Sequence, residues 1–309
     1  MKGRVIKATG SWYTIQCDDG RLISARLPGK FRLTEKEVTN PVAVGDRVQL
    51  KSEKDDTAVI TDIEERKNRL VRKATHGKKG IQILASNLDQ VLILQSVKKP
   101  EFKSGFIDRV LVMAEAQSIK PVIVFNKTDL IEKTSDQEKL NRYIGYYKNI
   151  GYQVLLTSIL DSDSLDSFKE LVHGKLSAMT GPSGTGKTSL VNSLDPELKL
   201  KTGEISGFSN KGKHTTTFAQ LLSLGDETYI VDTPGIREFG LIDIEPYEIS
   251  HYFPEMMTVV HDCRYNTCTH RHEPSCAIKE AVERGTVSED RYRSYLNILD
   301  SIEIEGNKG

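Results

Sequence analysis

The chain lacks the features that would send it into a membrane or staple it by oxidation. None of its apolar runs approaches the ~18 residues that a membrane-spanning helix needs, so no membrane partner is expected. It has four cysteines: Cys17 stands alone, while Cys263, Cys268 and Cys276 crowd around a histidine, a spacing that suits a metal better than disulfides in a reducing compartment. No excess of one charge is present, because 43 Lys and Arg balance 43 Asp and Glu. A polyanionic partner would therefore have to be met by a local cluster. Internal repeats and low-complexity stretches are also missing, which excludes solenoids and disordered arrays. The opening Met1-Lys2-Gly3-Arg4-Val5-Ile6 has no apolar stretch of the signal-peptide kind and reads as a strand, so the expected location is the cytoplasm. What is present is a globular composition, 38% hydrophobic and 28% charged. The length suits about two domains, or three if the outer ones are small.

Residues 1–66 read as an all-β barrel. Short alternating segments at 3–8, 11–17, 21–27, 46–50 and 57–63, with an Asp18-Asp19-Gly20 turn, make five strands. An RNA-binding OB-fold is the expectation and an SH3-like spacer the alternative. A basic connector at 67–84 follows. Counting its boundary arginine, Arg66, Lys67, Arg69, Arg72, Lys73, Lys78 and Lys79 lie together with no acidic residue between them. Beside such a barrel this run suggests contact with an RNA backbone.

At 85–240 the texture changes to buried strands (90–94, 121–125, 153–156, 176–179) separated by amphipathic helices, the pattern of a doubly wound α/β domain. Residues 241–309 lose the strand signal and read as mostly helical, at 277–283 and 289–304.

The chemistry lies in the loops. Gly181-Pro182-Ser183-Gly184-Thr185-Gly186-Lys187-Thr188, continued by Ser189, matches the phosphate-binding loop between a strand and a helix. Its glycines let backbone N–H groups face a β-phosphate at the positive end of a helix. Lys187 would reach the β- and γ-phosphates and Thr188 would ligate Mg²⁺. Asn126-Lys127-Thr128-Asp129 follows a strand and matches N-K-x-D, in which the Asp129 carboxylate accepts the ring N1–H and exocyclic amine of guanine. Adenine would leave that carboxylate unpaired. Thr157 and Ser158 stand where a loop supports the base. Asp232-Thr233-Pro234-Gly235 gives D-x-x-G, with Asp232 on Mg²⁺ and Gly235 on the γ-phosphate. Between them, Lys213-His214-Thr215-Thr216-Thr217 occupies the switch I position, where a threonine closes over Mg²⁺.

These parts come in a permuted order, with N-K-x-D ahead of the phosphate loop, so switch II runs straight into the C-terminal segment. Ile236 stands where Ras-like enzymes carry a water-orienting glutamine. His214 is the nearest substitute, Arg237 could steady developing charge, and slow unassisted hydrolysis is expected. A P-loop ATPase or kinase with a chance N-K-x-D is the alternative. Cys263, Cys268, His270 and Cys276 make the Cys₃His set of a closed structural zinc site, with His261 and His272 as competing imidazoles.

The whole chain resembles the RsgA (YjeQ) family of ribosome-small-subunit-dependent GTPases. The resemblance is carried by residues 181–189, 213–217, 232–237 and 126–129, by the Cys₃His spacing and by Asn87-Leu88-Asp89-Gln90. It implies an OB-fold, a circularly permuted GTPase domain and a C-terminal zinc domain. It also implies His214 as the catalytic histidine and Thr216 as the switch I threonine. As partners it implies GTP, GDP and the small ribosomal subunit with its rRNA, in late subunit maturation with subunit-stimulated hydrolysis and release. A monomer is expected.

Overall fold

The computed structural model describes residues 1–28, 38–53, 57–73, 80–195, 198, 200, 220–232, 241, 242 and 244–306. The first five strands are β1 (Lys2–Thr9), β2 (Trp12–Cys17), β3 (Leu22–Arg26), β4 (Arg47–Ser52) and β5 (Thr57–Ile63). They close into a barrel in the order β1-β2-β3-β5-β4, with β4 returning to β1. β3 and β5 run parallel and the other neighbours antiparallel. This is the OB-like arrangement, and the SH3-like alternative falls away. The alternation seen in the sequence turns Val5, Ile15, Ala25, Val48 and Ile60 into the barrel, and Cys17 joins that core.

The basic stretch is more ordered than a connector. β6 (Arg69–Lys73) pairs antiparallel with β7 (Ile81–Ser86), burying Leu70 and Val71. Two of its cations are committed to the protein itself. Arg66 bonds the fully buried Asp46 at 2.7 and 2.8 Å, and the buried Arg72 donates to Gln82 at 2.9 Å. Neither is an open phosphate contact, so the reading of this run as facing an RNA backbone is corrected at these two positions. A cation carried on a strand can be turned inward when its partner strand supplies an acceptor. Lys67 is exposed, and Lys78 and Lys79 lie outside the described residues.

Among the described residues the central sheet has six strands: β8 (Gln90–Ser96), β9 (Pro121–Asn126), β10 (Gln153–Thr157), β11 (Leu176–Thr180), β12 (Leu221–Ser223) and β13 (Tyr229–Asp232). Their order is β10-β9-β8-β11-β13-β12, all parallel except the edge strand β12. Helices α1 (Ser104–Ala116), α2 (Thr134–Asn149), α3 (Ser162–Val172) and α4 (Lys187–Leu194) cover it. Val91, Ile93, Ile123 and Phe125 point to the α1 side, while Leu92, Leu94, Val122 and Val124 point to the α3 and α4 side. With both faces covered, the strands read as unbroken apolar runs.

Beyond the sheet come α5 (Pro254–Met257), α6 (Ala277–Glu283) and α7 (Glu289–Gly306). Phe253, Met256, Tyr295 and Leu299 join the α1 side of the core, so this segment shares the sheet's interior. The joint is ionic at its centre. The buried Arg291 donates to Asp108 of α1 at 2.8 Å and to Glu255 of α5 at 2.7 Å, and its guanidinium lies 4.4 Å over the Phe253 ring. Burial works against that charge, but the two carboxylates outweigh it and hold the Arg291 pKa well above the arginine range. Tyr147 also donates to Asp108 at 2.8 Å.

Candidate nucleotide site and metal centre

All the motif loops that the structure describes leave the carboxyl ends of parallel strands, where open α/β sheets take their ligands. β11 delivers the chain into residues 181–186, and α4 begins at Lys187. Two glycines are required by geometry. Gly186 sits at φ +96°, and a Cβ there would meet the Asn126 amide nitrogen at 2.3 Å; at Gly181 a Cβ would meet the Leu94 carbonyl at 2.3 Å. Lys187 is buried and donates to the carbonyls of Gly181 at 2.7 Å and Pro182 at 3.1 Å. Thr185 and Thr188 are buried, Ser183 and Gly184 are exposed, and Pro182 and Ser189 are half-buried.

The base-reading loops are tied to this loop by short polar bonds. Asn126, at the end of β9, donates to the Thr185 carbonyl at 2.9 Å and accepts from the Thr157 hydroxyl at 3.0 Å. One amide thus joins three loops. Lys127, in the left-handed region at φ +63°, sends its ammonium to the carbonyls of Gly184 and, at 2.9 Å, Lys99. Ser158 donates its hydroxyl to Asp129 Oδ1 and thereby orients that carboxylate. Residues 126–129, 157–158 and 181–188 therefore form one site, although the first two precede the third in the chain.

Asp232 closes β13, with its Cα paired to Met179 just ahead of the phosphate loop. His214, Thr216 and Gly235 lie outside the described residues. Sequence reasoning missed the loop between β8 and α1, whose Lys99 carbonyl receives Lys127 and whose Pro100 lies beside Gly184. No motif marks it, since its part is played by a backbone carbonyl.

The second cluster is Cys263, Cys268, His270 and Cys276, whose ligand atoms all lie within 4.8 Å of one another. His270 Nδ1 is 3.6 Å from Cys263 Sγ and 3.4 Å from Cys276 Sγ. Burial lowers the His270 pKa to about 4, so the imidazole is neutral and able to ligate. Burial and the neighbouring thiols push the Cys268 thiol up. Tyr292 donates to the His270 carbonyl at 2.6 Å and Tyr295 to that of Thr269 at 2.8 Å, so α7 braces the ligand loop. His261 and His272 are exposed and stand outside the cluster. Four converging donors with no open position fit a structural ion.

Comparison with known proteins agrees with this geometry. Residues 2–60 match the model of the RsgA N-terminal domain, and residues 63–242 match that of the RsgA GTPase. "Small ribosomal subunit biogenesis GTPase RsgA 2" of Bacteroides thetaiotaomicron is 47% identical, over 98% of this chain and 97% of its own. The RsgA of Flavobacterium johnsoniae is 45% identical, over 98% and 94%. Among solved structures, YjeQ from Thermotoga maritima superposes with a TM-score of 0.78 at 34% identity, covering 97% of both chains. YloQ, described as a circularly permuted GTPase, gives 0.76 at 30%, covering 98% of this chain and 95% of its own. With the barrel, the permuted sheet and the Cys₃His cluster in place, this chain belongs to the RsgA family of GTPases.

Proposed function

We propose that the protein hydrolyses GTP to GDP and phosphate and works in maturation of the small ribosomal subunit. The observation that carries this is the Asn126 amide joining the base-reading loops to the phosphate loop, with Ser158 orienting the Asp129 carboxylate. Asp129 selects guanine, Lys187 and the 181–186 backbone hold the phosphates, and Thr188, Thr216 and Asp232 hold Mg²⁺. His214 orients the attacking water that Ile236 cannot. Mg²⁺ would supply charge neutralisation on the β- and γ-phosphates. The Cys₃His cluster holds one Zn²⁺ as a staple.

The relatives' name points to the partner, and the barrel with the exposed Lys67 provides surface for its rRNA. The GTP form binds the subunit, the subunit stimulates hydrolysis, and release follows. A monomer in the cytoplasm suits that role; no described helix is long and apolar enough to cross a membrane.

The test is phosphate release from GTP and from ATP by the purified protein, with and without small subunits. Slow GTP turnover that rises sharply with subunits, with ATP inert, is the expected result. Equal turnover of ATP would refute the guanine reading. Lys187→Ala should lose GTP turnover and keep subunit binding, which separates hydrolysis from RNA engagement.

A further inference from the structure

The barrel does not hang free of the sheet. It rests on the β12–β13 hairpin, the part of the sheet that lies between the two switch segments in the chain. Gln220, immediately after the switch I stretch, forms an antiparallel bridge with Lys7 of β1. Tyr229, the first residue of β13, is buried and donates its hydroxyl to Gln16 of β2 at 2.6 Å, and the Arg4 guanidinium of β1 lies 4.9 Å over its ring. Ile6 and Ala8 of β1 pack against the same core that holds Leu221 and Tyr229.

From Tyr229 the chain runs as one short strand to Asp232, in unbroken register with β11: Leu176 opposite Tyr229 and Met179 opposite Asp232. A paired strand moves as a unit, so a displacement at Tyr229 is carried to Asp232, three residues or about 10 Å away at ~3.3 Å per residue. β11 leads directly into the phosphate loop. The hairpin thus has the barrel at one end and the nucleotide chemistry at the other.

The barrel end carries an exposed aromatic. Along β2, Tyr13, Ile15 and Cys17 point inward, which sets Trp12, Thr14 and Gln16 on the outer face. Trp12 is 46% exposed and sits opposite Arg26 of β3. The Arg26 guanidinium is held by Glu53 at 3.0 Å, which leaves the Trp12 ring as the stacking surface for an unstacked base. Gln16 is on the same face four residues away, about 13 Å along the strand.

We propose that the Gln16–Tyr229 contact couples RNA on the barrel's outer face to the nucleotide site, with Tyr229 as the positioning residue that transmits it. This rests on the reading of the chain as a GTPase that engages the small subunit's RNA. By linkage the coupling is reciprocal: RNA on the barrel tightens GTP, and GTP tightens RNA by the same factor.

The experiment uses the full chain with its metal bound, a fluorescent non-hydrolysable GTP analogue, and purified small subunits. The quantity read is the ratio of analogue Kd without and with saturating subunits. Tyr229→Phe keeps the buried ring and removes only the donor; Gln16→Ala removes the acceptor from the barrel side. Each should lower the ratio about five-fold, the size expected for one hydrogen bond. Analogue affinity without subunits should stay at the wild-type value, and the double variant should be no worse than either single one. Variants that keep the wild-type ratio overturn the proposal, as does a wild-type protein that binds the analogue with a ratio of one. A wild-type protein that fails to bind the GTP analogue overturns the functional reading itself.

Discussion

At the nucleotide end of the sheet, the buried Asn126 amide is neutral and its partners are a backbone carbonyl and a hydroxyl on neighbouring loops. Beneath α7, the buried Arg291 guanidinium is charged and its partners are two carboxylates on separate helices. Both are polar groups that tie distant segments together, yet they suit opposite tasks. Neutral bonds to loop backbone can be re-formed as a ligand enters, at a cost of about 1 kcal/mol each. A buried charge cannot lose its partners without a far larger penalty, so the ionic joint is suited to holding α7 on the sheet.

Metal removal should sharpen that contrast most. Structural zinc sites in small domains contribute folding free energy of roughly 10 kcal/mol or more. Stripping the metal with a chelator, or Cys268→Ser, should open residues 258–276 to protease while GTP affinity stays within a few-fold. Limited proteolysis and a binding titration on the same sample read both effects. Arg291→Ala comes next. It leaves Asp108 and Glu255 buried and unpaired, and should cost about 3–5 kcal/mol in urea unfolding. Replacing Arg291, Asp108 and Glu255 together by Met or Leu should recover most of the loss. A single variant costing under ~1 kcal/mol would break the comparison, because the joint would then be no stronger than a loop bond.

At the other end, Asn126→Ala leaves the Thr185 carbonyl without its donor. It should weaken GTP binding by about 5–150-fold, the worth of ~1–3 kcal/mol, with little change in unfolding midpoint. Isothermal titration beside a thermal melt distinguishes the two.

The smallest effect concerns Glu273. Burial tends to raise its pKa. Bonds from the Thr269 N–H and hydroxyl, its own N–H and the Arg271 N–H outweigh this and hold it at about 2, against 4.5 ordinarily. A depressed carboxyl contributes stability that is present above pH 4.5 and lost as pH falls toward 2. The gap in urea midpoint between wild type and Glu273→Gln should therefore be widest at pH 7 and narrow below pH 4.5. A gap that does not change with pH would show that the charged form has no special part there.

The two clusters also differ in how they show in the sequence. Asn126 stands inside N-K-x-D, and the Cys₃His spacing is a short pattern whose meaning follows from ligand chemistry. Arg291 sits in Glu289-Asp290-Arg291-Tyr292-Arg293, a run that reads as the solvated face of a helix. Its partners are 183 and 36 residues away, too far for any local pattern to reveal. The basic stretch is a similar case. Arg72 carries the same letter as an exposed arginine, and only the pairing of β6 with β7 turns it inward to Gln82. The Tyr229 latch was equally hidden, since nothing in a four-residue strand says that a barrel 213 residues earlier will accept its hydroxyl.

By itself, then, the sequence determined the elements and the chemistry. Period-two alternation set the five barrel strands, unbroken apolar runs announced a sheet covered on both faces, and motif spacing picked out the loops at 126–129, 157–158 and 181–188 and the Cys₃His cluster that the fold brings together. Those signals are local, because side-chain direction and loop chemistry repeat over a few residues. The tertiary structure alone decided which charges are buried, which carbonyl receives Lys127, and how the barrel and α7 are fastened to the sheet. Such choices rest on partners brought together from far along the chain, and a buried charge is stable only where the fold has placed its counter-charge.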